Sequence, residues 1–282
     1  MRPRFRRRCL EAQRPVPAPL ILSIVIPAHN EADSIRPVLR SMCQLLVAEG
    51  IPYEVVVVDD HSSDGTNEAV AEISAEFPTV RCVKNLNSGG FGLAIRAGLD
   101  AFTGDVVAIV MGDGSDPAED IVRCYREFAK GYDCVFGSRF MPESRVVDYP
   151  GFKLAINRLA NLFIRLLFRI PLNDITNAFK CYRRETIDGL RPIVSHHFNL
   201  TVELPLKAIV RGYTYTVIPI GWRNRTEGVS KLKLKEMGSR YLFIVLYVWL
   251  EKHLAKGDYH RPKTAGALSL DPTRTPPSPR KN

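Results

Sequence analysis

Two clusters of carboxylates carry the chemistry that this sequence can offer. Residues 54–66 read EVVVVDDHSSDGT and residues 108–116 read AIVMGDGSD. Each is a run of small and β-branched apolar residues that stops abruptly at Asp59 and Asp60, or at Asp113 and Asp116. Continuous apolar runs are the mark of strands buried on both faces. Charges at their C-terminal ends fall at the crevice where open α/β sheets bind ligands. Two acidic strand ends together suggest a nucleotide–metal site, because hard carboxylate oxygens favour Mg²⁺ or Mn²⁺ over zinc. No His/Cys cluster competes: His196 and His197 are adjacent and have no cysteine partners at metal-site spacing. Taken singly, either segment also reads as a strand ending in a polar turn.

The elements that must position these residues alternate. LILSIVI at 20–26 is a strand that ends in PAHNE, followed by a helix over 33–48. A strand at 54–58 and a helix at 67–76 come next. A short strand at 80–83, a strand at 105–111, a helix at 118–130 and a strand at 132–136 complete the regular part. Strand–helix alternation predicts parallel crossover units, hence an α/β sheet flanked by helices. SGGFG at 88–92 lacks the spacing of a dinucleotide fingerprint and is not a Walker motif. It reads either as a tight turn with close backbone packing or as a close approach to a bound sugar nucleotide.

The net charge of +9 over 282 residues resembles a nucleic-acid signature until it is located. Residues 1–19 carry +5 and residues 256–282 carry +4, so the span between them is neutral. Within it, residues 20–138 hold 8 basic and 18 acidic residues, whereas 139–255 hold 19 basic and 9 acidic. One half suits a metal and the other suits anions. The Pro-rich basic tails read as disordered. The six cysteines form no CxxC pair and fit a reducing compartment. There is no zinc finger, reading helix, KH or RRM motif, so no nucleic-acid partner is expected.

The C-terminal half contains two apolar helical patterns. FKLAINRLANLFIRLLFR at 152–169 places Lys153, Asn157, Asn161, Arg165 and Arg169 at i,i+4 spacing, a narrow polar stripe on a broadly apolar helix. The stripe faces either membrane headgroups, or solvent or a ligand from a helix half buried in the domain. YLFIVLYVWL at 241–250 is too short to span a bilayer, which needs about 20 residues. Together these patterns give the expectation of a peripheral membrane protein with amphipathic interface helices at its C-terminal end.

SIVIPAHNE at 23–31, VVVVDDHSSDGT at 55–66, GLAIRAGL at 92–99, GDGSD, GSRF at 137–140, DITNAFKCYRR at 174–184 and RTEGVSKL at 225–232 occur in this order. Over about 20–235 the chain resembles family 2 glycosyltransferases, and among them the polyprenyl- or dolichyl-phosphate hexose (mannose) synthases. The resemblance implies a GT-A fold, a Rossmann-like and mostly parallel sheet that holds a nucleotide-sugar and Mg²⁺ or Mn²⁺. It places Pro27, His29, Asn30 and Glu31 in the nucleoside pocket, with Asp60 at the base or ribose and Asp59 beside it. It maps the metal-binding DxD-like element onto Asp113, Gly114 and Ser115. Here the sequence departs, since the second carboxylate is missing and Asp116 stands one residue late; either Asp116 takes the metal by a small register change, or Ser115 or water fills that position. Arg139 takes the place of a phosphate-binding arginine. Arg225, Ser230 and Lys231 fall in the late segment that closes over donor diphosphate and acceptor phosphate. The implied domains are a basic tail (1–19), a nucleotide-sugar half (20–138), an acceptor half (139–235), an apolar C-terminal helix (236–255) and a second tail (256–282).

The reaction implied is inverting transfer of mannose or glucose from a GDP- or UDP-sugar to a polyprenyl phosphate, at the cytoplasmic face of a membrane. Such an acceptor arrives ionised, so the protein must mainly align the reactants and stabilise charge. The alternative is a soluble family member that glycosylates a saccharide or natural-product hydroxyl. That reaction needs a general base, for which Asp174 and Glu203 are the candidates; both also read as structural residues.

Overall fold

The computed structural model describes residues 19–224 and 234–261. Arg225, Ser230 and Lys231 and most of both expected tails lie outside the described residues. The start of the second tail, 256–261, departs from the expected disorder: the Arg261 N–H donates to Arg211 O at 2.8 Å and its guanidinium pairs with Asp133 at 2.5 Å. The first half runs β1 (Leu22–Ala28), α1 (Ala32–Ala48), β2 (Tyr53–Asp59), α2 (Thr66–Glu76), β3 (Val80–Lys84), α3 (Phe91–Ala101), β4 (Val106–Ile109), α4 (Ala118–Phe128) and β5 (Cys134–Ser138). The second half adds β6 (Arg145–Val147), α5 (Gly151–Phe168), β7 (Lys180–Arg183), α6 (Arg184–Gly189), α7 (Leu200–Val210), β8 (Tyr215–Pro219), β9 (Gly221–Arg223) and α8 (Leu234–Leu254).

Seven strands form one sheet in the order β3-β2-β1-β4-β7-β5-β8, and β6 pairs with β9 separately. All pairings in the large sheet are parallel except those of β7, which runs antiparallel to both β4 and β5. This is the expected α/β architecture, a mostly parallel sheet flanked by helices.

The apolar runs of β1 and β2 are uninterrupted because both faces of the sheet are covered. Leu22, Ile24, Ile26, Val55 and Val57 pack into one cluster with residues of α1, α2 and α4. Val25, Val56 and Val58 point the other way, into a cluster with α3 and the later helices. The chain proceeds outward from β1 to β2 and β3, then returns to place β4 on the other side of β1. That reversal opens a crevice between the C-terminal ends of β1 and β4. The strand expected at 105–111 is shorter, because the chain peels away after Val110, whose N–H still reaches Val25 O at 3.1 Å. The next N–H, that of Met111, is taken by the Asp116 carboxylate at 3.1 Å.

The polar stripe of helix α5 divides: Lys153 and Asn157 face a large cavity, Arg165 and Arg169 are exposed, and Asn161 turns inward. Asn161 is buried, whereas Phe152, Leu159 and Leu166 are 70%, 68% and 70% exposed. Asn161 turns inward because it has partners there. It accepts the Ile175 N–H at 2.6 Å and donates to Thr176 Oγ1 at 3.1 Å. Helix α8 buries Ile244, Val245 and Val248 and exposes Leu242, Phe243, Leu246 and Leu250. No helix among the described residues is long and apolar enough to cross a membrane.

Candidate active site

A cavity of 720 Å³ opens at the crevice between β1 and β4. From the end of β1 come Pro27, His29 and Glu31; from the end of β2, Asp60; from the loop after β4, Asp113, Ser115 and Asp116; and from the end of β5, Arg139. The acidic rim and the arginine therefore share one space. Asp59 does not line it. Its carboxylate accepts Ser62 N–H at 2.9 Å and Asn67 Nδ2 at 3.1 Å, which anchors the turn into α2. Burial acts to raise the pKa of Asp59, but these bonds outweigh it and hold the carboxyl below its ordinary value.

The nucleoside-side residues are tied to one another. The ring of His29 donates from Nδ1 to Asp60 O at 2.7 Å, a tautomer fixed by the carbonyl, which can only accept. Asn30 adopts φ 55° and accepts the Ser63 N–H at 2.8 Å, which joins the loops after β1 and β2. The Asp60 carboxylate accepts Asn85 Nδ2 at 2.7 Å and the Gly90 N–H at 2.9 Å. It thus holds the glycine turn before α3 while facing the cavity.

That glycine turn packs closely against the loop before α7. A Cβ on Gly92 would lie 2.7 Å from Ser195 O, and the Gly92 N–H donates to His196 O at 3.0 Å. Phe91 and Phe198 stack at 4.0 Å across this junction and line the cavity.

In the loop after β4, Asp113 Oδ1 accepts the Ser115 N–H at 3.0 Å, and Gly114 takes φ 73°, which a side chain rarely tolerates. Burial pushes Asp116 up to about 7, with the nearby Asp113 charge adding to the shift against the Met111 N–H. Two such carboxylates at one cavity edge fit a divalent cation, which would relieve their mutual repulsion. No group of three or more His, Cys, Asp or Glu side chains suited to a metal exists among the described residues. Asp113 and Asp116 would therefore hold the cation together with donor oxygens and water.

Arg139 is the cation that faces this edge. It donates to Asp174 from Nε and from a terminal nitrogen, each at 2.8 Å, and its backbone N–H reaches the same carboxylate at 2.9 Å. Burial alone would lower its pKa; the Asp174 charge outweighs burial and raises it, so the guanidinium stays charged. Tyr149, Trp222 and Phe140 surround it at 5.4, 6.0 and 5.4 Å. Arg223 N–H donates to Ser115 O at 3.1 Å, so the small β6–β9 sheet fastens the acidic loop to the basic half. Asn224 lines the cavity at the edge of the described residues.

Neither candidate base is available for proton transfer. Asp174 is fully buried beneath Arg139. Glu203 is also fully buried, and accepts the Val194 and Ser195 N–H groups at 2.9 and 2.8 Å and Lys207 Nζ at 2.5 Å. Sequence reading missed the aromatic enclosure of Arg139, the Asn157–Asn161–Thr176 network and Lys180. Buried under the site, Lys180 has its pKa lowered by burial to about 7.

The family 2 glycosyl transferase model matches residues 23–191. The chain belongs to glycosyl transferase family 2. A relative in this family, polyprenol monophosphomannose synthase of Mycolicibacterium smegmatis, is 30% identical over 216 residues, covering 74% of this chain and 80% of the relative. Dolichol-phosphate mannosyltransferase of Pyrococcus furiosus is 30% identical over 219 residues, which is 76% of this chain and 60% of that protein's length. Among solved structures, glucosyl-3-phosphoglycerate synthase from Mycobacterium tuberculosis, in complex with Mn²⁺, UDP-glucose and phosphoglyceric acid, superposes with a TM-score of 0.62. It is 18% identical and covers 83% of this chain and 79% of that one.

These findings correct the narrower expectation. The polyprenyl- or dolichyl-phosphate hexose synthase assignment, its polyprenyl phosphate acceptor and its membrane partner are not retained. A fold that superposes over most of this chain holds phosphoglyceric acid beside UDP-glucose and Mn²⁺ in that synthase. The GT-A fold by itself therefore does not select a lipid acceptor.

Proposed function

We propose that this family 2 enzyme transfers a hexose from a UDP-sugar, with Mn²⁺ or Mg²⁺, to a small anionic acceptor, with inversion at the anomeric carbon. The observation that carries the reading is the single cavity in which Asp60, Asp113 and Asp116 face Arg139. The donor follows the solved glucosyl-3-phosphoglycerate synthase complexes, which hold UDP or UDP-glucose with Mn²⁺. Pro27, His29, Glu31 and Asp60 line the part of the cavity proposed for the nucleoside. Asp113 and Asp116 hold the cation, which when bound neutralises charge on the departing diphosphate.

Arg139 is fixed by Asp174 and needs no rearrangement to receive a phosphate or carboxylate oxygen. Lys153 adds a second cation on the α5 wall of the cavity. With Asp174 and Glu203 engaged elsewhere, the protein's contribution is alignment and charge stabilisation, and the proton of the attacking hydroxyl passes to the acceptor's own phosphate or carboxylate or to the departing diphosphate. Arg225, Ser230 and Lys231 complete the proposed phosphate-binding set from the segment after Asn224. Free thiols at Cys43, Cys82, Cys124, Cys134 and Cys181 suit a reducing, cytoplasmic setting for this chemistry.

The test is a panel of UDP- and GDP-hexoses with Mn²⁺, Mg²⁺ or chelator, offered phosphoglycerate, other phosphorylated hydroxy acids and neutral saccharides. Metal-dependent transfer from a UDP-sugar to an anionic acceptor is expected. Transfer only to neutral saccharides, or equal rates in chelator, would remove the reading.

A further inference from the structure

A second cavity, of 400 Å³, lies on the other flank of α5 from the active site. Its lining includes Arg158, Arg165, Asn161, Asn173 and Phe140, and no carboxylate. Arg158 and Arg165 are seven residues apart, two helical turns, and so share a face of the helix. Neither takes part in an ion pair among the described residues. Helix α5 itself contains no Asp or Glu with which they could pair.

Three of the lining groups, Arg158, Asn173 and Asn161, are held in place. The guanidinium of Arg158 sits over the Phe140 ring at 4.7 Å, which orients it without neutralising it. Asn173 accepts from Ser138 Oγ at 2.6 Å and donates to Phe140 O at 3.2 Å; its second amide hydrogen has no partner among the described residues. Asn161 is locked by Ile175 N–H and Thr176. Arg165 lies in the last turn of α5, where the helix dipole favours a cation, but Arg158 lies in mid-helix and has no such reason to be there. Two uncompensated guanidinium groups and an amide donor around one cavity supply the kind of donors an oxyanion takes, with planar forks suited to paired phosphate oxygens.

We infer that this cavity is a second anion site, which takes a phosphate monoester or diester between Arg158, Arg165 and Asn173. It is separate from the donor cavity and does not depend on the sugar-transfer reading. Two sources could supply such a group, a soluble phosphorylated compound or a phospholipid headgroup.

The experiment uses the full chain without metal or nucleotide, at constant ionic strength set with chloride. One arm titrates inorganic phosphate calorimetrically. The other measures co-sedimentation with phosphatidylcholine vesicles, with and without phosphatidylglycerol. Each is repeated on an Arg158→Gln/Arg165→Gln double variant and on the charge-preserving Arg158→Lys/Arg165→Lys variant. Both arginines are exposed, so both variants should retain the wild-type melting temperature. Saturable phosphate binding that weakens roughly tenfold per arginine replaced by glutamine, and less in the lysine variant, identifies a soluble ligand. Arginine-dependent binding to the anionic vesicles alone identifies the headgroup. If neither probe loses affinity in the glutamine variant, there is no anion site here.

Discussion

Arg139 and Asp174 are joined by three hydrogen bonds, two from the guanidinium and one from the backbone N–H, and both side chains are buried. The arrangement converts a mobile cation into a fixed wall of the active-site cavity. Its cost is that each charge depends on the other.

Asp174→Asn should therefore act on both stability and turnover. Removing one partner leaves the Arg139 charge buried without compensation, a loss of about 3–5 kcal/mol. Chemical denaturation should show that loss, and kcat should fall even where the variant stays folded. An Arg139→Met/Asp174→Leu double variant should recover most of the stability but none of the activity. If Asp174→Asn kept full activity, Arg139 would not need its tether.

The acidic edge makes a different forecast. Asp113→Asn and Asp116→Asn should each lower kcat by about 100-fold or more, since cation-held charge neutralisation at the diphosphate is lost. Titration with Mn²⁺ should show weaker binding in both variants. An Asp116→Asn enzyme with unchanged metal affinity would leave Asp113 to act with water or Ser115 instead.

Gly92 tests the junction between α3 and the loop before α7. An added Cβ would meet Ser195 O at 2.7 Å, and that oxygen belongs to backbone. Gly92→Ala should cost about 1–3 kcal/mol through forced backbone movement. Because Phe91 and Phe198 meet across the same junction and line the cavity, the KM for donor or acceptor should rise with it. A thermal melt and a KM both equal to wild type would show that the loop yields freely.

These residues also mark what a sequence can and cannot disclose. Asp60, Asp113 and Asp116 were legible because each ends an apolar run, and such ends converge wherever parallel strands share a sheet. Asp174 was legible as a carboxylate but not as a tether, because its partner is 35 residues away and on another element. The stripe of α5 was legible as polar, but its facing was not. Lys153 and Asn157 reach the cavity, whereas Asn161 is drawn inward by Thr176 and Ile175 from a separate loop. Strand β7 was invisible as part of the sheet because KCYR is short and polar at both ends, yet burial between β4 and β5 covers Lys180 completely.

Lys180 supplies the pH prediction. Its ammonium donates to Asn177 O and has Asp174, Arg139 and Asp116 as charged neighbours. Burial lowers its pKa from 10.5 to about 7, with Asp174 acting against the shift and Arg139 with it. A depressed folded-state pKa means that the unfolded chain binds the proton more tightly. This lysine's contribution to stability is therefore present above the unfolded value and is lost as pH falls towards about 7. Between pH 7 and 10 the wild type should gain up to about 1.4 kcal/mol per pH unit from this one group. Lys180→Met should flatten that slope and be the more stable protein at pH 7, where the wild type still bears part of the cost of a buried charge. Urea midpoints for both proteins at pH 7, 8 and 9 measure the difference directly. Parallel slopes would mean that Lys180 stays protonated throughout, held by the Asp174 and Asp116 charges more firmly than burial opposes it.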